Sequence, residues 1–144
     1  MVAVDTNLLV YAHRTDAAFH DAARNLIESL ARGVAAWAIP WPCAHEFLAI
    51  VTNPRIFKTP TPAKTAFAQL RELAGAPGLV FLAEAEGYLS RLEEIALTAQ
   101  ISGGAVHDAR IAAICLHHAV TELWSADRDF SRFPALRTRN PLAG

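Results

Sequence analysis

Short apolar runs alternate with longer amphipathic segments along the chain, a pattern typical of strands that alternate with helices. The absence of hairpin turns between the runs favours an α/β fold. We expect a mostly parallel sheet of four or five short strands, with helices on both faces. The predicted strands are Val2–Val4, Val34–Ile39, Leu79–Leu82 and Leu123–Ser125, with a further edge strand at Leu136–Thr138. The predicted helices are Ala17–Arg32, Pro42–Thr52, Ala63–Ala74, Ala85–Ala99 and Ala105–His118.

The composition predicts one folded domain over residues 1–144, because 53% of the residues are hydrophobic and 19% are charged. The formal net charge is −1, so binding to nucleic acid would depend on local basic patches. No apolar run approaches the roughly 20 residues of a membrane helix, and no signal peptide is recognisable. We therefore expect a cytoplasmic protein without a membrane anchor. Cys43 and Cys115 lie in apolar surroundings, which predicts two buried free thiols.

Four acidic residues occupy positions that solvent-exposed acids rarely take. Asp5 and Asp127 directly follow short apolar strands. Because the carboxyl ends of parallel strands open into one crevice, these two side chains are expected to meet there. Glu46 and Asp108 lie on helices among apolar neighbours, which predicts helices that are largely buried. The sequence therefore predicts that all four carboxylates converge.

Four ionised carboxylates in one crevice require protons or cations to offset their repulsion. Oxygen ligands select hard cations such as Mg²⁺ or Mn²⁺, and two such ions would cancel the charge of four acids. Each acid also has a purely local interpretation. Asp5 suits a helix N-cap, Asp108 a first-turn acid, Glu46 the rim of a half-exposed helix and Asp127 a turn.

Four segments in this order resemble the PIN-domain nucleases, most closely the VapC-type toxins of bacterial and archaeal toxin–antitoxin pairs. The segments are Val4-Asp5-Thr6-Asn7-Leu8-Leu9-Val10-Tyr11, Pro42-Cys43-Ala44-His45-Glu46-Phe47-Leu48, Val106-His107-Asp108-Ala109-Arg110-Ile111-Ala112 and Trp124-Ser125-Ala126-Asp127-Arg128-Asp129-Phe130. The resemblance extends over nearly the whole chain. It implies a PIN fold, the activity of a metal-dependent endoribonuclease, homodimer formation and neutralisation by a small cognate antitoxin.

The resemblance also implies the residues of the site. It places one or two Mg²⁺ or Mn²⁺ ions on Asp5, Glu46, Asp108 and Asp127. It implies that Thr6 or Asn7, together with the hydroxyl of Ser125, organise these acids. Asp129 is a possible substitute for Asp127 as the late acid of the site.

Substrate RNA would need local positive charge, and 11 of the 13 basic residues are arginines, which suit bidentate contacts to phosphate. Trp37 and Trp41 are expected to pack in the core or a dimer interface rather than to stack on bases. No histidine is assigned to catalysis. The candidate RNA contacts are Arg55 and Lys58 on the Pro-rich loop, and Arg128 and Arg132 near Asp127, where Arg137 and Arg139 also cluster.

Two other functions are compatible with parts of the sequence. A haloacid-dehalogenase-like phosphatase with Asp5 as nucleophile would need a second aspartate two residues later, where this chain has Asn7. A catalytically silent PIN-like module that only binds RNA or a partner stays open, although all four acids are present. No Gly-rich loop follows a strand, which argues against nucleotide-binding folds.

Overall fold

The computed structural model describes residues 1–143, whose centre is one sheet of five strands in the order β3-β2-β1-β4-β5. All neighbouring strands are parallel, which confirms the α/β class predicted from the sequence. The strands are β1 (Val2–Val4), β2 (Trp37–Pro40), β3 (Leu79–Leu82), β4 (Glu122–Trp124) and β5 (Thr138–Arg139).

Within residues 1–143, six α-helices and two short 3₁₀ helices connect the strands. Because parallel crossovers are right-handed, the helices that lead from β1 to β3 and those that lead to β4 lie on opposite faces of the sheet. The helices are α1 (Thr6–His13), α2 (His20–Arg32), α3 (Trp41–Val51), α4 (Ala63–Ala74), α5 (Tyr88–Thr98) and α6 (Val106–His117), with 3₁₀ turns at Gly103–Ala105 and Arg128–Arg132.

The chain reverses its direction across the sheet between β1 and β4. From β1 it proceeds through β2 to β3 on one side, and it then returns to place β4 on the other side of β1. In sheets of this type such a reversal opens a crevice beyond the carboxyl ends of the two strands. Asp5 and Ser125 are the first residues beyond these two ends.

Several predicted boundaries were wrong. β2 begins at Trp37, which pairs with Val2 of β1 and Leu79 of β3. It does not begin at Val34, which is 88% exposed. The α1 helix was not predicted, because three consecutive buried apolar residues, Leu8, Leu9 and Val10, hide its helical period. α5 begins at Tyr88, after a glycine in the left-handed region.

The core contains both cysteines as free buried thiols, as predicted. Trp37 is 1% exposed and packs in this core, whereas Trp41 is partly exposed and stacks on Phe81 with ring centroids 4.2 Å apart. Within residues 1–143, no helix is both long enough and apolar enough to cross a membrane.

Candidate active site

Four carboxylates line one small cavity of about 90 Å³ at the carboxyl edge of the sheet. They come from four separate places in the fold, namely the end of β1, the α3 helix, the first turn of α6 and the loop after β4. The acidic lining residues are Asp5, Glu46, Asp108 and Asp127, and the cavity is completed by Thr6, Asn7, Ile50, Ile111 and Phe130. The structure thus brings together all four acids that the sequence singled out.

Asp5 is the most deeply buried of these acids, with 4% of its surface exposed. Its backbone N–H donates to the carbonyl of Trp124 (2.9 Å), which extends the pairing of β1 with β4. The Ser125 hydroxyl donates to its Oδ2 (2.7 Å), and the Cys43 thiol donates to its Oδ1 (3.4 Å). Burial raises the pKa of Asp5, whereas the hydrogen bonds from Ser125, the Thr6 backbone and Cys43 act to lower it.

Asp108 is half-buried in the first turn of α6. Burial raises the pKa of Asp108, and the nearby carboxylates of Asp127, Asp129 and Asp5 raise it further, against the opposing charge of Arg132. Negative charge in the cavity is therefore only partly balanced by the protein itself.

Glu46 is exposed, so the prediction that it lies on a buried face of its helix was wrong. α3 buries Cys43, Ala44 and Phe47, and Glu46 lies at the edge of this buried face, on the rim of the cavity. Its Oε2 accepts a hydrogen bond from the hydroxyl of Thr6 at 3.1 Å. Glu46 therefore lies on the rim of a half-exposed helix and also lines the acidic cavity.

The loop after β4 is ordered by hydrogen bonds that converge on Ser125 and Asn7. The Ser125 hydroxyl also accepts from the backbone N–H of Asp127 (2.9 Å), and Asn7 Oδ1 accepts from the N–H of Ala126 (3.1 Å). Asp127 in turn caps the following 3₁₀ turn, because its Oδ1 accepts from the N–H of Asp129 (2.8 Å). These contacts fix the direction in which Asp127 enters the cavity.

Asp129 does not line the cavity. Its side chain is 60% exposed and forms an ion pair with Arg132 at 3.4 Å. Of the two late acids, Asp127 is therefore the one that the structure places with Asp5 and Asp108.

The candidate basic residues have different relations to the cavity. Arg132 is half-buried, and its charge acts on Asp108. Arg128 is exposed one residue after Asp127. Arg55 and Lys58 are exposed on the loop between α3 and α4, and neither lines the cavity.

Sequence reasoning missed Cys43, whose thiol contacts the most buried acid. Burial and the adjacent Asp5 carboxylate raise the pKa of Cys43 well above the usual range, so the sulphur keeps its proton and acts as the donor. A signal was present, because Cys43 lies three residues before Glu46 and such residues share one face of a helix. Its apolar surroundings indicated only a core residue.

A larger groove of about 620 Å³ lies elsewhere, along α1, α2 and the end of α4. Its charged lining mixes signs and includes Arg24, Glu28 and Glu72. It lacks the concentration of acids found at the carboxyl edge of the sheet.

The chemistry of the acidic cavity fits a hard divalent cation. Its charged donors are all carboxylate oxygens, and burial raises the pKa values of Asp5 and Asp108, so a bound cation would stabilise the ionised forms that burial disfavours. Within residues 1–143, no group of three or more His, Cys, Asp or Glu side chains already has a metal-binding arrangement.

The raised pKa values predict how pH affects the stability of the metal-free protein. An unfolded aspartate has a pKa of about 3.9. A group whose pKa is higher in the folded than in the unfolded state stabilises the fold when it is protonated. This stabilisation is complete below the unfolded-state pKa and is lost as pH rises through the folded-state pKa. At neutral pH, ionised Asp108 therefore destabilises the metal-free fold.

We expect Asp108→Asn in EDTA to melt at a higher temperature than the wild type near pH 7, and the difference to shrink towards about pH 4. Acids whose pKa is lowered by ion pairs have the opposite effect on the pH dependence of stability. The wild type and Asp108→Asn both contain these acids, so their contribution cancels in the difference between the two melting temperatures. Differential scanning fluorimetry across this range measures the difference. A difference in melting temperature that is independent of pH would contradict the raised pKa of Asp108 in the folded, metal-free protein.

Comparisons with known proteins agree with this architecture. Residues 2–136 match the family described as PIN domain. The chain is 38% identical over 144 residues to Ribonuclease VapC43 of Mycobacterium tuberculosis (strain H37Rv), covering 100% of this chain and 97% of that relative. It is 31% identical over 140 residues to Ribonuclease VapC48 of the same strain, covering 97% of each protein.

Solved structures show the same fold. VapBC2 from Rickettsia felis, bound to a DNA fragment from its promoter, superposes with a TM-score of 0.71 at 21% identity, covering 97% of this chain and 98% of that one. Mycobacterium tuberculosis VapC20, described as a sarcin–ricin loop cleaving toxin, gives a TM-score of 0.67 at 18% identity, covering 91% and 93%. The chain therefore belongs to the PIN-domain family, with VapC ribonucleases among its relatives.

Proposed function

We propose that the protein is a metal-dependent endoribonuclease that acts as the toxin of a toxin–antitoxin pair. The observation that carries the proposal is the single cavity lined by carboxylates from four separate elements, at the point where the sheet reverses its direction. The relatives named as ribonucleases support RNA as the substrate. The description of VapC20 as a sarcin–ricin loop cleaving toxin supports a cleavage reaction by a toxin.

The proposed cofactor is Mg²⁺ or Mn²⁺, as one or two ions held by Asp5, Glu46, Asp108 and Asp127. When bound, such a cation supplies an acidified water and offsets the negative charge that develops on the scissile phosphate. Hydrolysis breaks the bond between phosphorus and the 3′ oxygen and forms a bond from water to phosphorus. The products would carry a 5′-phosphate and a 3′-hydroxyl.

The residues of this chain orient the acids and leave the nucleophile to water. Ser125 holds one oxygen of Asp5, and Thr6 holds one oxygen of Glu46. Asn7 fixes the loop that carries Asp127. Among the residues that line the cavity, Thr6 has the one hydroxyl group, and this group donates a hydrogen bond to Glu46. The reaction therefore needs no nucleophilic side chain and no covalent intermediate with the protein.

Positive charge next to the acids would hold the RNA backbone. Arg132 is the best placed for a phosphate contact, because its charge already acts on Asp108. Arg128 is exposed and directly follows Asp127, and Arg55 and Lys58, which do not line the cavity, would contact RNA further from the scissile bond.

We further propose a cognate antitoxin as the protein partner and a homodimer as the assembly, both acting in the cytoplasm. An antitoxin partner is supported by two solved neighbours, one described as VapBC2 bound to promoter DNA and one as a toxin–antitoxin complex from Klebsiella pneumoniae. Large apolar side chains also stand exposed on the free chain, among them Val34, Leu89 and Leu97.

Cleavage of structured RNAs tests the proposed reaction. The purified protein is incubated with the RNA in Mg²⁺ or Mn²⁺, in EDTA, and in EDTA followed by excess Mg²⁺. We expect cleavage with either ion, none in EDTA and recovery on re-addition. RNA binding without cleavage in any metal would instead support the catalytically silent PIN-like module.

A further inference from the structure

The Cys43 thiol contacts the acidic centre but has no part in the proposed reaction. Its Sγ lies 3.4 Å from Oδ1 of Asp5, on the oxygen that Ser125 leaves free. Both partners are buried, since Cys43 is 0% exposed and Asp5, which lines the cavity, is 4% exposed. Each oxygen of the buried carboxylate is therefore held by one side-chain donor from a different part of the fold.

A second hydrogen bond joins α3 to the residue that follows Asp5, with donor and acceptor reversed. Cys43 of α3 donates to Asp5, whereas Thr6, the next residue after Asp5, donates to Glu46 of α3. Cys43 and Glu46 are three residues apart on one helix and therefore share a face. The pair of bonds fixes how α3 is turned relative to the end of β1.

Orientation matters for a carboxylate that is to receive a cation. The terminal torsion of an aspartate has a broad energy minimum, so the Ser125 hydroxyl and the adjacent Thr6 backbone define the plane of the carboxylate less well than they do together with a further side-chain donor. Donors on both oxygens define that plane. A thiol is a weak donor, and it can fix the direction of an oxygen while leaving most of its negative charge for a ligand.

We propose that Cys43 is a positioning residue for the divalent cation, whose thiol, together with the Ser125 hydroxyl, fixes the carboxylate of Asp5 for metal binding. This inference rests on the proposed function, since it presupposes a cation at the four acids. Cys43 itself contacts neither the cation nor the RNA.

The test measures Mg²⁺ and Mn²⁺ affinity of the full chain by isothermal titration calorimetry without RNA, with melting temperatures recorded in EDTA. Cys43→Ala and Cys43→Val remove the donor, and the valine variant keeps the volume filled. Groups that orient a metal ligand are typically worth 10–100-fold in affinity, and for a weak thiol donor we expect a loss of about 10-fold in both variants. Cys43→Ser restores a donor and should bind within about threefold of wild type.

Cys115 provides a matched control. It is the other buried free cysteine, and within the described residues its thiol makes no hydrogen bond to Asp5. Cys115→Ala is expected to bind the cation as wild type does, even where its melting temperature falls. The half-saturating Mg²⁺ concentration for RNA cleavage should rise for Cys43→Ala and Cys43→Val by the same factor as the dissociation constant.

The outcomes separate the two proposals. Wild-type affinity in both Cys43→Ala and Cys43→Val would overturn the positioning role and leave the metal site intact. An equal loss in Cys115→Ala, or no recovery in Cys43→Ser, would also overturn it, because the effect would then be one of core packing. No binding of Mg²⁺ or Mn²⁺ by the wild type would overturn the metal site, and this inference with it.

Discussion

Replacement of Asp108 by Asn is expected to reduce RNA cleavage at least about 1,000-fold, which corresponds to about 4 kcal/mol of transition-state stabilisation. The substitution preserves the shape of the side chain but removes a half-buried charge that would hold the cation. Burial and the adjacent acids already disfavour that charge in the metal-free protein, so the fold should tolerate its loss. Initial cleavage rates at saturating Mg²⁺ and a far-UV circular dichroism spectrum check both parts.

Asp21→Asn is the matched control for this variant. Asp21 lies in the first turn of α2, as Asp108 lies in the first turn of α6, but it does not line the acidic cavity. It should retain wild-type cleavage, since a first-turn acid contributes only to the stability of its helix. If Asp108→Asn cleaves RNA at the wild-type rate, Asp108 is merely such a first-turn acid and the proposed site is wrong.

Ser125→Ala is expected to lower metal affinity and cleavage by about 10–100-fold. The hydroxyl makes two contacts, donating to Asp5 Oδ2 at 2.7 Å and accepting from the N–H of Asp127 at 2.9 Å. Its removal therefore takes away one of the donors to the buried carboxylate and loosens the turn that carries Asp127. Calorimetric titration with Mg²⁺, followed by cleavage assays over a range of Mg²⁺ concentrations, measures the loss.

Excess metal distinguishes orientation from simple destabilisation. If Ser125 acts through the metal ligands, part of the lost cleavage should return as Mg²⁺ is raised well above the wild-type requirement. Ser131→Ala, an exposed serine in the 3₁₀ turn after Asp127, should behave as wild type. Unchanged Mg²⁺ affinity in Ser125→Ala would show that the Ser125 hydroxyl does not orient the metal-binding acids.

The positions of acidic residues directly after predicted strands were the most informative feature of the sequence. Asp5 and Asp127 follow apolar runs, and a parallel sheet necessarily brings such positions to one edge. Asp108 could be anticipated because its helix is apolar on most sides. These predictions depend on periodicity and connection rules, which are local properties that the sequence displays directly.

The sequence could not supply what depends on packing between distant elements. Ser125 and Asp5 are 120 residues apart, and Thr6 and Glu46 are 40 apart, so their contacts follow from sheet register and helix rotation. The exposure of Glu46 was misjudged for that reason. Apolar neighbours on a helix do not reveal which side of it another element covers.

A crystal structure of the wild type grown with saturating Mn²⁺, with anomalous data collected near the manganese edge, shows whether a cation binds between the four acids. We predict one or two anomalous peaks inside the cavity at the carboxyl ends of β1 and β4. Oxygens from at least three of the acids Asp5, Glu46, Asp108 and Asp127 should lie about 2.1 Å from an ion, as expected for a small hard cation. Peaks only at other sites, or well-ordered carboxylates with no peak between them, would contradict it.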